Sequence, residues 1–435
     1  VNTASAWEGY LREARWFGGK GLGARVASIT PLAWYTPEGS TPAIRSELAE
    51  IAYSDGRTEI YQLLVAYLPV GTAPAGLALG QTALPGLGEV EIVDAPAHPA
   101  SVAALVRVLI RTPPAGMQWT DVAPVDPEAG IRLFTGEQSN TTVMIGQTTL
   151  LKLFRKLEAG RNLDAEVLGA LSGSGITPDL YGVLSAQGYD LAMFCQRITG
   201  ITDGWVFATR ACAAGRDISR ECRRLGVELR ELHARLAGAF GTSARPGSEL
   251  TADMTRRFDD AAEQVHELDA YRHAAQLLFA APSGIDLATQ RVHGDFHLGQ
   301  VLHRDDTPDR PWVIIDFEGE PLKSLAERRE FDSVWRDVAG LLRSLDYARS
   351  AHADPDGQAA REWCAAARDA FLDGYAGEHR AEPSLLRAYE LDKAVYEVVY
   401  EVRNRPNWAH IPWRAVQDEA RRVSLDPPAA TDKEQ

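Results

Sequence analysis

The chain lacks the features that would carry it across a membrane or onto nucleic acid. No uncharged apolar run approaches the ~18 residues that a bilayer-spanning helix needs. Basic residues are in deficit: 45 Lys and Arg stand against 60 Asp and Glu, a formal charge of −15. That balance argues against a nucleic-acid backbone or an anionic membrane as partner. Cysteine is scarce, and Cys195, Cys212, Cys222 and Cys364 are scattered without metal-ligand spacing. Free thiols in a reducing compartment fit this better than a disulfide frame. The opening residues VNTASAWEGYLREARW have no basic patch followed by an apolar core, so no secretory signal is visible and a cytoplasmic location is expected. There is no internal repeat, and only the tail after Pro427 is low in complexity. What remains is an ordinary globular composition, 45% hydrophobic and 24% charged over 435 residues. That is enough chain for two or three units at about 150 residues each.

The hydrophobic pattern changes along the chain. SELAEIAYSDG followed by RTEIYQLLVAYLPV reads as a hairpin about Asp55-Gly56. The Gly-, Ala- and Pro-rich stretch from Val70 to Gly88 reads as a looser segment that closes this unit. SVAALVRVLIR has helical spacing, and a proline-rich link from Thr112 to Pro127 follows it. IRLFTGEQSNTTVMIGQTTLLKLFR then reads as three short strands around the turns Glu137-Gln138-Ser139-Asn140 and Gly146-Gln147. LDAEVLGALSG reads as a helix with a glycine stop. Beyond Trp205 helical patterns dominate. RECRRLGVELRELHARLAGAF predicts a surface helix whose buried stripe is Leu225, Val227, Leu229, Leu232 and Leu236. Two strand-like pieces, Val301-Leu302 and Trp312 to Ile315, form one hairpin embedded in this helical half.

The chemistry is concentrated around that hairpin. His293-Gly294-Asp295-Phe296-His297-Leu298-Gly299-Gln300 is followed by Ile314-Ile315-Asp316-Phe317-Glu318. An aspartate, an amide five residues later and a second aspartate 21 residues after the first suit phosphoryl transfer from ATP to a hydroxyl. Asp295 can accept the hydroxyl proton and hold its oxygen in line with the γ-phosphorus. Gln300 and Asp316 offer hard oxygen ligands to Mg²⁺. The bland reading of each residue alone is a hydrogen-bonded turn, but the combined spacing favours catalysis. Glu318 and Glu320 either pair with Lys323, Arg328 or Arg329 or assist the metal site. Asp337, at the start of a helix, reads as a cap or a brace for the catalytic loop. His297 either touches the acceptor or is structural.

HGDxHxxQ followed by IIDFEGEP resembles the aminoglycoside-phosphotransferase-like branch of the protein-kinase superfamily, and within it the actinobacterial maltokinases and related sugar kinases. ARWFGGK, SDGRTEIYQLLV, LAERREFDSVWRDVAGLLRSLDYA and KAVYEVVYEVRNRPNW match the narrower group, so the resemblance spans nearly the whole chain. It implies an α+β, bilobal protein-kinase-like fold, aminoglycoside phosphotransferase-like, with an N-terminal cap subdomain over residues 1–100. A strand-rich ATP-binding lobe would span 101–198, and a helical lobe with catalytic loop and sugar site 199–435. ATP and Mg²⁺ are the implied cofactors, held between the lobes, and a small sugar or amino sugar is the partner; a monomer is expected. By family position Lys152 would meet the α- and β-phosphates, with Glu166 on the next helix as its carboxylate partner. Ser139, in a turn without the repeated glycines of protein kinases, would contact phosphate. The backbone of Gln196 and Ile198 would face the adenine edge. Arg15, Trp16 and Lys20 either clamp the active cleft or hold the cap to the lobe beneath it, and the second is expected.

Acceptor choice must come from other residues. The helix KAVYEVVYEVRNR puts Tyr396 with Tyr400, and Glu397 with Glu401, at i,i+4 spacing. Trp413, Gln417 and Glu419 follow. Such a wall is either core packing and solvated charge or a sugar cleft of aromatic and acidic side chains; an acid opposite an ammonium favours an amino sugar. The segment Ala14-Arg15-Trp16-Phe17-Gly18-Gly19-Lys20 departs from the QRWYAG-like stretch of better-known maltokinases and resembles divergent relatives that include glucosamine kinases. The expected activity is therefore an ATP-dependent sugar kinase making D-glucosamine 6-phosphate. Maltose 1-phosphate is the alternative, antibiotic phosphorylation a third reading, and an inactive ATP-binding pseudokinase the reading from another class.

Overall fold

The computed structural model describes residues 3–37, 39–110, 114–120, 125–126, 129–134, 140–320, 323–377 and 383–425. It falls into two units, Val1–Gly173 with Pro178–Thr199 and Ser174–Thr177 with Gly200–Gln435.

The first unit opens with helix α1 (Thr3–Glu13) and an antiparallel sheet of β1 (Arg25–Trp34), β2 (Ala43–Ala52), β3 (Thr58–Pro69), β4 (Ala78–Leu84) and β5 (Gly88–Asp94). The order is β1-β2-β3-β5-β4. β2 and β3 turn at Asp55-Gly56 as the hairpin signal predicts. The stretch from Val70 to Gly88 is more ordered than its composition indicates, because β4 lies inside it and pairs with β5. Ala78, Gly80 and Ala83 have little strand preference of their own, so this edge forms by pairing. β3 is buried at every position from Tyr61 to Leu68, as a central strand covered on both faces is. Trp7 and Leu11 of α1, with Phe17, pack on Ile51, Tyr61, Leu63 and Val65.

The chain then forms α2 (Pro99–Leu109), β6 (Met117–Thr120), β7 (Ile131–Leu133), β8 (Thr141–Ile145), β9 (Thr149–Leu153), β10 (Lys156–Leu157), α3 (Leu163–Leu171), β11 (Leu180–Ala186) and β12 (Tyr189–Gln196). The second sheet runs β6-β11-β12-β9-β8-β7, and β10 leaves it to pair with β3. A buried polar seam joins the two sheets. Gln62 donates to the carbonyls of Phe154 (2.8 Å) and Leu191 (2.9 Å). Arg155 grips Asp94 with two bonds, 3.0 and 2.9 Å, while its guanidinium carbon lies 4.5 Å from the centre of the Trp16 ring. Trp16 thus packs at the seam, in keeping with the holding role expected for its segment.

The second unit contains β13 (Ile201–Asp203), α4 (Gly204–Ala213), α5 (Ser219–Phe240), β14 (Thr242–Pro246), α6 (Gly247–Gln264), α7 (Arg272–Ala280), β15 (Asp286–Gln290), β16 (Val301–Arg304) and β17 (Trp312–Ile314). Helices α8 (Leu325–Arg329), α9 (Trp335–Ala348), α10 (Gln358–Ala376), α11 (Pro383–Asn404) and α12 (His410–Leu425) complete it. On α5 the residues Leu225, Leu229, Leu232 and Leu236 are buried. Val227 is not part of that stripe: two residues from Leu225 it lies about 200° around the helix and is half-exposed. β13, β16 and β17 form a three-stranded sheet and β14 pairs with β15. Among the described residues no helix is long and apolar enough to cross a membrane.

Candidate active site

The predicted loop is placed by the small sheet of the second unit. Val301 of β16 faces Ile314 of β17, and the Ile315 N–H donates to the Gln300 carbonyl at 3.0 Å. This register sets Gln300 and Asp316 side by side, with the Gln300 amide 3.2 Å from Asp316 Oδ2. Asp316 has φ of 67°, a left-handed conformation that aspartate tolerates better than most side chains. Strain of this kind persists where the surroundings hold it in place, often at functional sites.

The loop before β16 is braced from below. Asp337, in the first turn of α9, is fully buried. Its carboxylate accepts the backbone N–H groups of His293 (2.8 Å) and Gly294 (2.9 Å). His233 Nε2 lies 2.9 Å from the same carboxylate, and the other ring nitrogen shares a hydrogen bond with Tyr375. Burial pushes the Asp337 carboxyl up, but His233 and the loop amide outweigh it and hold it below the usual carboxylate range. Asp337 is therefore the brace that the sequence anticipated. Two helices also press on the loop at glycines. A Cβ on Gly340 of α9 would lie 2.4 Å from the Phe296 carbonyl oxygen, and one on Gly204 of α4 would lie 2.6 Å from that of Leu298.

Asp295 meets a cation that sequence reasoning missed. Lys393 of α11 places Nζ 3.3 Å from Asp295 Oδ1 and 3.2 Å from Glu320 Oε1. Burial alone would lower this lysine's pKa, but Glu320 and Asp295 raise it well above the usual value and keep it charged. Glu320 is buried, and Lys323 (3.1 Å) and Arg336 (3.2 Å) bind it as well. It serves as the hub of an ion-pair cluster, the pairing expected for it in part. The signal for Lys393 was present: it opens KAVYEVVYEVRNR one helical turn before Tyr396 and Glu397, on the same face.

The expected acceptor contacts divide. His297 Nδ1 accepts the Gly299 N–H at 3.0 Å, and its Nε2 stands 3.9 Å from Asp295 Oδ2, so it both shapes the turn and faces the aspartate. Lys393 lies 5.1 Å from the centre of the Tyr396 ring. Burial, with Glu320 and Asp295 nearby, pushes the Tyr396 hydroxyl up to about 12. Glu397 is bonded to Arg343 at 2.8 Å. Glu419 is held by Arg387 (2.8 Å) and Arg422 (2.6 Å). Tyr400 is 40% exposed, with Arg405 over its ring. Trp413 packs near Tyr271, and Gln417 is half-buried on α12.

In the first unit Lys152 lies within β9, and its Nζ is 2.8 Å from Asp164 Oδ2. Asp164 thus takes the place expected of Glu166. The helix register explains this: Asn162 caps α3 by accepting the Ala165 N–H at 3.1 Å, which turns Asp164 inward with Leu163. Glu166, two residues on, lies about 200° away. At the end of β12 the Gln196 N–H donates to the Asp179 carbonyl at 2.8 Å. The returning Asp179 N–H goes to the Gln196 side-chain oxygen at 3.3 Å instead of to its carbonyl. Ile198 follows, half-buried. Ser139 lies outside the described residues.

Residues 130–389 match the phosphotransferase enzyme family. The chain belongs to that family. A glucosamine kinase of Streptacidiphilus jiangxiensis is 29% identical over 340 residues, 69% of this phosphotransferase and 75% of the relative. Another, from Mycolicibacterium smegmatis, is 27% identical over 329 residues, 65% and 78% of the two chains. The solved structure of a glucosamine kinase in complex with glucosamine, ADP and inorganic phosphate has a TM-score of 0.64 at 21% identity. It covers 96% of this phosphotransferase and 99% of that chain, and at that identity the likeness is one of fold: the mixed helix-and-sheet, kinase-like architecture expected from the sequence.

Proposed function

We propose that this phosphotransferase is an ATP-dependent sugar kinase that converts D-glucosamine to D-glucosamine 6-phosphate. The observation that carries the reading is the loop: Asp337 fixes its backbone at His293 and Gly294, Lys393 stands 3.3 Å from Asp295, and Gln300 at its end lies beside Asp316. The two glucosamine kinases similar over about two thirds of the chain support the acceptor. In this reading the 6-hydroxyl gives its proton to Asp295 while its oxygen bonds to the γ-phosphorus. The bond from that phosphorus to the bridging oxygen breaks, and ADP leaves with the electron pair. Lys393, charged and close to Asp295, orients the carboxylate. His297 and Tyr396 flank the acceptor hydroxyl. Lys152, held by Asp164, would bind the α- and β-phosphates, and the carbonyl of Gln196 with the backbone of Ile198 would take the adenine edge.

Gln300 and Asp316 fit a divalent cation. Turning the Gln300 amide by half a rotation brings its oxygen to the place of the nitrogen now facing Asp316, so an ion there would meet two hard oxygen ligands. Mg²⁺ held by them would neutralise charge spreading over the transferred group.

ADP release across glucosamine, maltose, glucose and kanamycin, with Mg²⁺ and with chelator, tests the reading. Turnover is expected with glucosamine, dependent on the metal, with phosphate on carbon 6 of the product. A preference for maltose would move the assignment to the alternative kinase, and no turnover with any acceptor would leave an ATP-binding pseudokinase. Asp295→Asn should lose about 10²–10⁴-fold in kcat while nucleotide still binds; near-normal turnover would remove Asp295 from catalysis.

A further inference from the structure

Helices α9, α10, α11 and α12 of the second unit line a cavity of about 290 Å³ that opens to solvent. Its wall runs against the acidic composition of the chain. Six arginines line it, Arg343, Arg349, Arg361, Arg368, Arg414 and Arg422, against the four carboxylates Asp346, Glu390, Asp418 and Glu419. Several of these charges cancel in pairs: Arg343 with Asp346 at 2.8 Å, Arg368 with Glu390 at 2.6 Å and Arg422 with Glu419 at 2.6 Å. Arg414 reaches Asp356, a carboxylate 69% exposed, and Arg361 donates to the Asp356 backbone carbonyl.

Arg349 is different. Among the described residues its guanidinium makes no hydrogen bond or ion pair; the side chain is half-buried, its Nε is sealed from solvent, and Asp346 lies close enough to feel its charge. A buried donor left unmade costs about 1–3 kcal/mol, more when charged. Arginine cannot escape that cost by losing its proton, and native proteins rarely leave such a group without an ion or water to meet it. The fork of a guanidinium matches the oxygens of phosphate in pairs, where a lysine would offer only a point charge.

The cavity adjoins the proposed acceptor site without containing it: Arg343, on its wall, holds Glu397 at 2.8 Å. Asp295, His297, Tyr396, Trp413 and Gln417 do not line it; of the residues expected at the sugar only Glu419 does, and that carboxylate is already bound by arginine. Residues 411, 414, 415, 418 and 422 of α12 face the cavity, and Trp413 and Gln417 project from another side of the same helix.

We propose that this cavity binds a small anion bearing a phosphate group. Its volume, near the lower end for small-molecule sites, suits free phosphate or a phosphorylated monosaccharide. The proposal stands on the cavity and does not depend on the kinase reading.

Calorimetric titration of the full chain with inorganic phosphate, and separately with glucosamine 6-phosphate, tests it at fixed ionic strength. Saturable binding is expected, weakened at least tenfold by Arg349→Gln and by Arg414→Gln. Arg57→Gln, at an exposed turn of the first unit, should leave binding unchanged. Hydrogen exchange should show protection in α10 and α12 on anion binding. ADP release from the same preparations reports on fold and proposed reaction independently, and the arginine variants should retain it. Tighter binding of the sugar ester would assign the site to that source, and equal binding to free phosphate. No saturable binding of either anion, binding untouched by both variants, or protection confined to residues 291–300 would overturn the proposal.

Discussion

Lys393 and Glu228 show how a single buried charge can be read from its neighbours. One ammonium bridges Asp295 and Glu320, so removing it releases Asp295 while leaving Glu320 with Lys323 and Arg336. Lys393→Met is therefore expected to lower kcat by roughly 10²-fold, the scale of losing one preorganised charge at a reacting centre, with KM for ATP changed little. Steady-state kinetics on a variant of unaltered melting temperature checks this; unchanged kcat would make the lysine a purely structural ion. Among the described residues Glu228 of α5 has no such cation bonded to it. Burial, with Glu231 adding to it, pushes its carboxyl up to about 8 against the pull of the Trp312 backbone, Arg304 and Arg310. A carboxyl whose folded pKa is raised binds its proton more tightly folded than unfolded. Its contribution is fully present below the ordinary carboxylate pKa and is lost as pH rises through about 8. Stability should fall by up to ~1.4 kcal/mol per pH unit across that window. Glu228→Gln should flatten the fall and be the more stable protein at pH ~8, as read from denaturant midpoints over pH. Parallel pH curves for the two proteins would refute the assignment.

At the scale of elements, the proposed catalytic loop is positioned by helices that touch its backbone. Gly340 of α9 leaves no room for a methyl group beneath the Phe296 carbonyl, and Phe296 adjoins Asp295. Gly340→Ala should therefore shift the loop and cost about 10²-fold in kcat, since a misplacement near 1 Å has that effect. Near wild-type kcat would mean that α9 yields instead of the loop. This also shows why parts of the site were legible in the sequence and others were not. The pairing of Gln300 with Asp316 was readable because the two residues flank the strands of one hairpin, whose register sets them side by side. The strands about Asp55-Gly56 and Gly146-Gln147 were readable from alternation and turn chemistry. β4 was not, because its small side chains carry no period and its order comes from β5. Lys152 was placed correctly in its strand, but its partner depended on the cap that sets the rotation of α3, which turned Asp164 inward where Glu166 was expected. The helix pattern puts Lys393 on the face of Tyr396 and Glu397, but its meeting with Asp295, 98 residues away, is a tertiary contact that local pattern does not specify.

On the scale of the molecule, the question is whether the first sheet is a separable cap or part of the same folding unit as the second. The seam favours one unit. β10 leaves the lobe to pair with β3, Gln62 of β3 satisfies two carbonyls across the seam, and Arg155 and Asp94 are both buried with their charges directed at each other. A buried ion pair adds little net stability over apolar packing, but removing one partner strands the other and costs about 3–5 kcal/mol. Arg155→Met is thus expected to lower unfolding free energy by about that amount, with Asp94 left to the Tyr10 hydroxyl that donates to it at 2.7 Å. Asp94→Asn placed on top of Arg155→Met should restore part of the loss, because the stranded charge is gone. The cycle of these variants should yield a coupling above 1 kcal/mol, as contacting groups do. A chain beginning at residue 101 loses β3 and Asp94 together and should show no cooperative melting of what remains of the first unit. If that shortened chain melts cooperatively at the temperature of the intact one, and the double variant shows no coupling, the first sheet is a module docked on a self-sufficient lobe, and the polar seam is incidental to its folding.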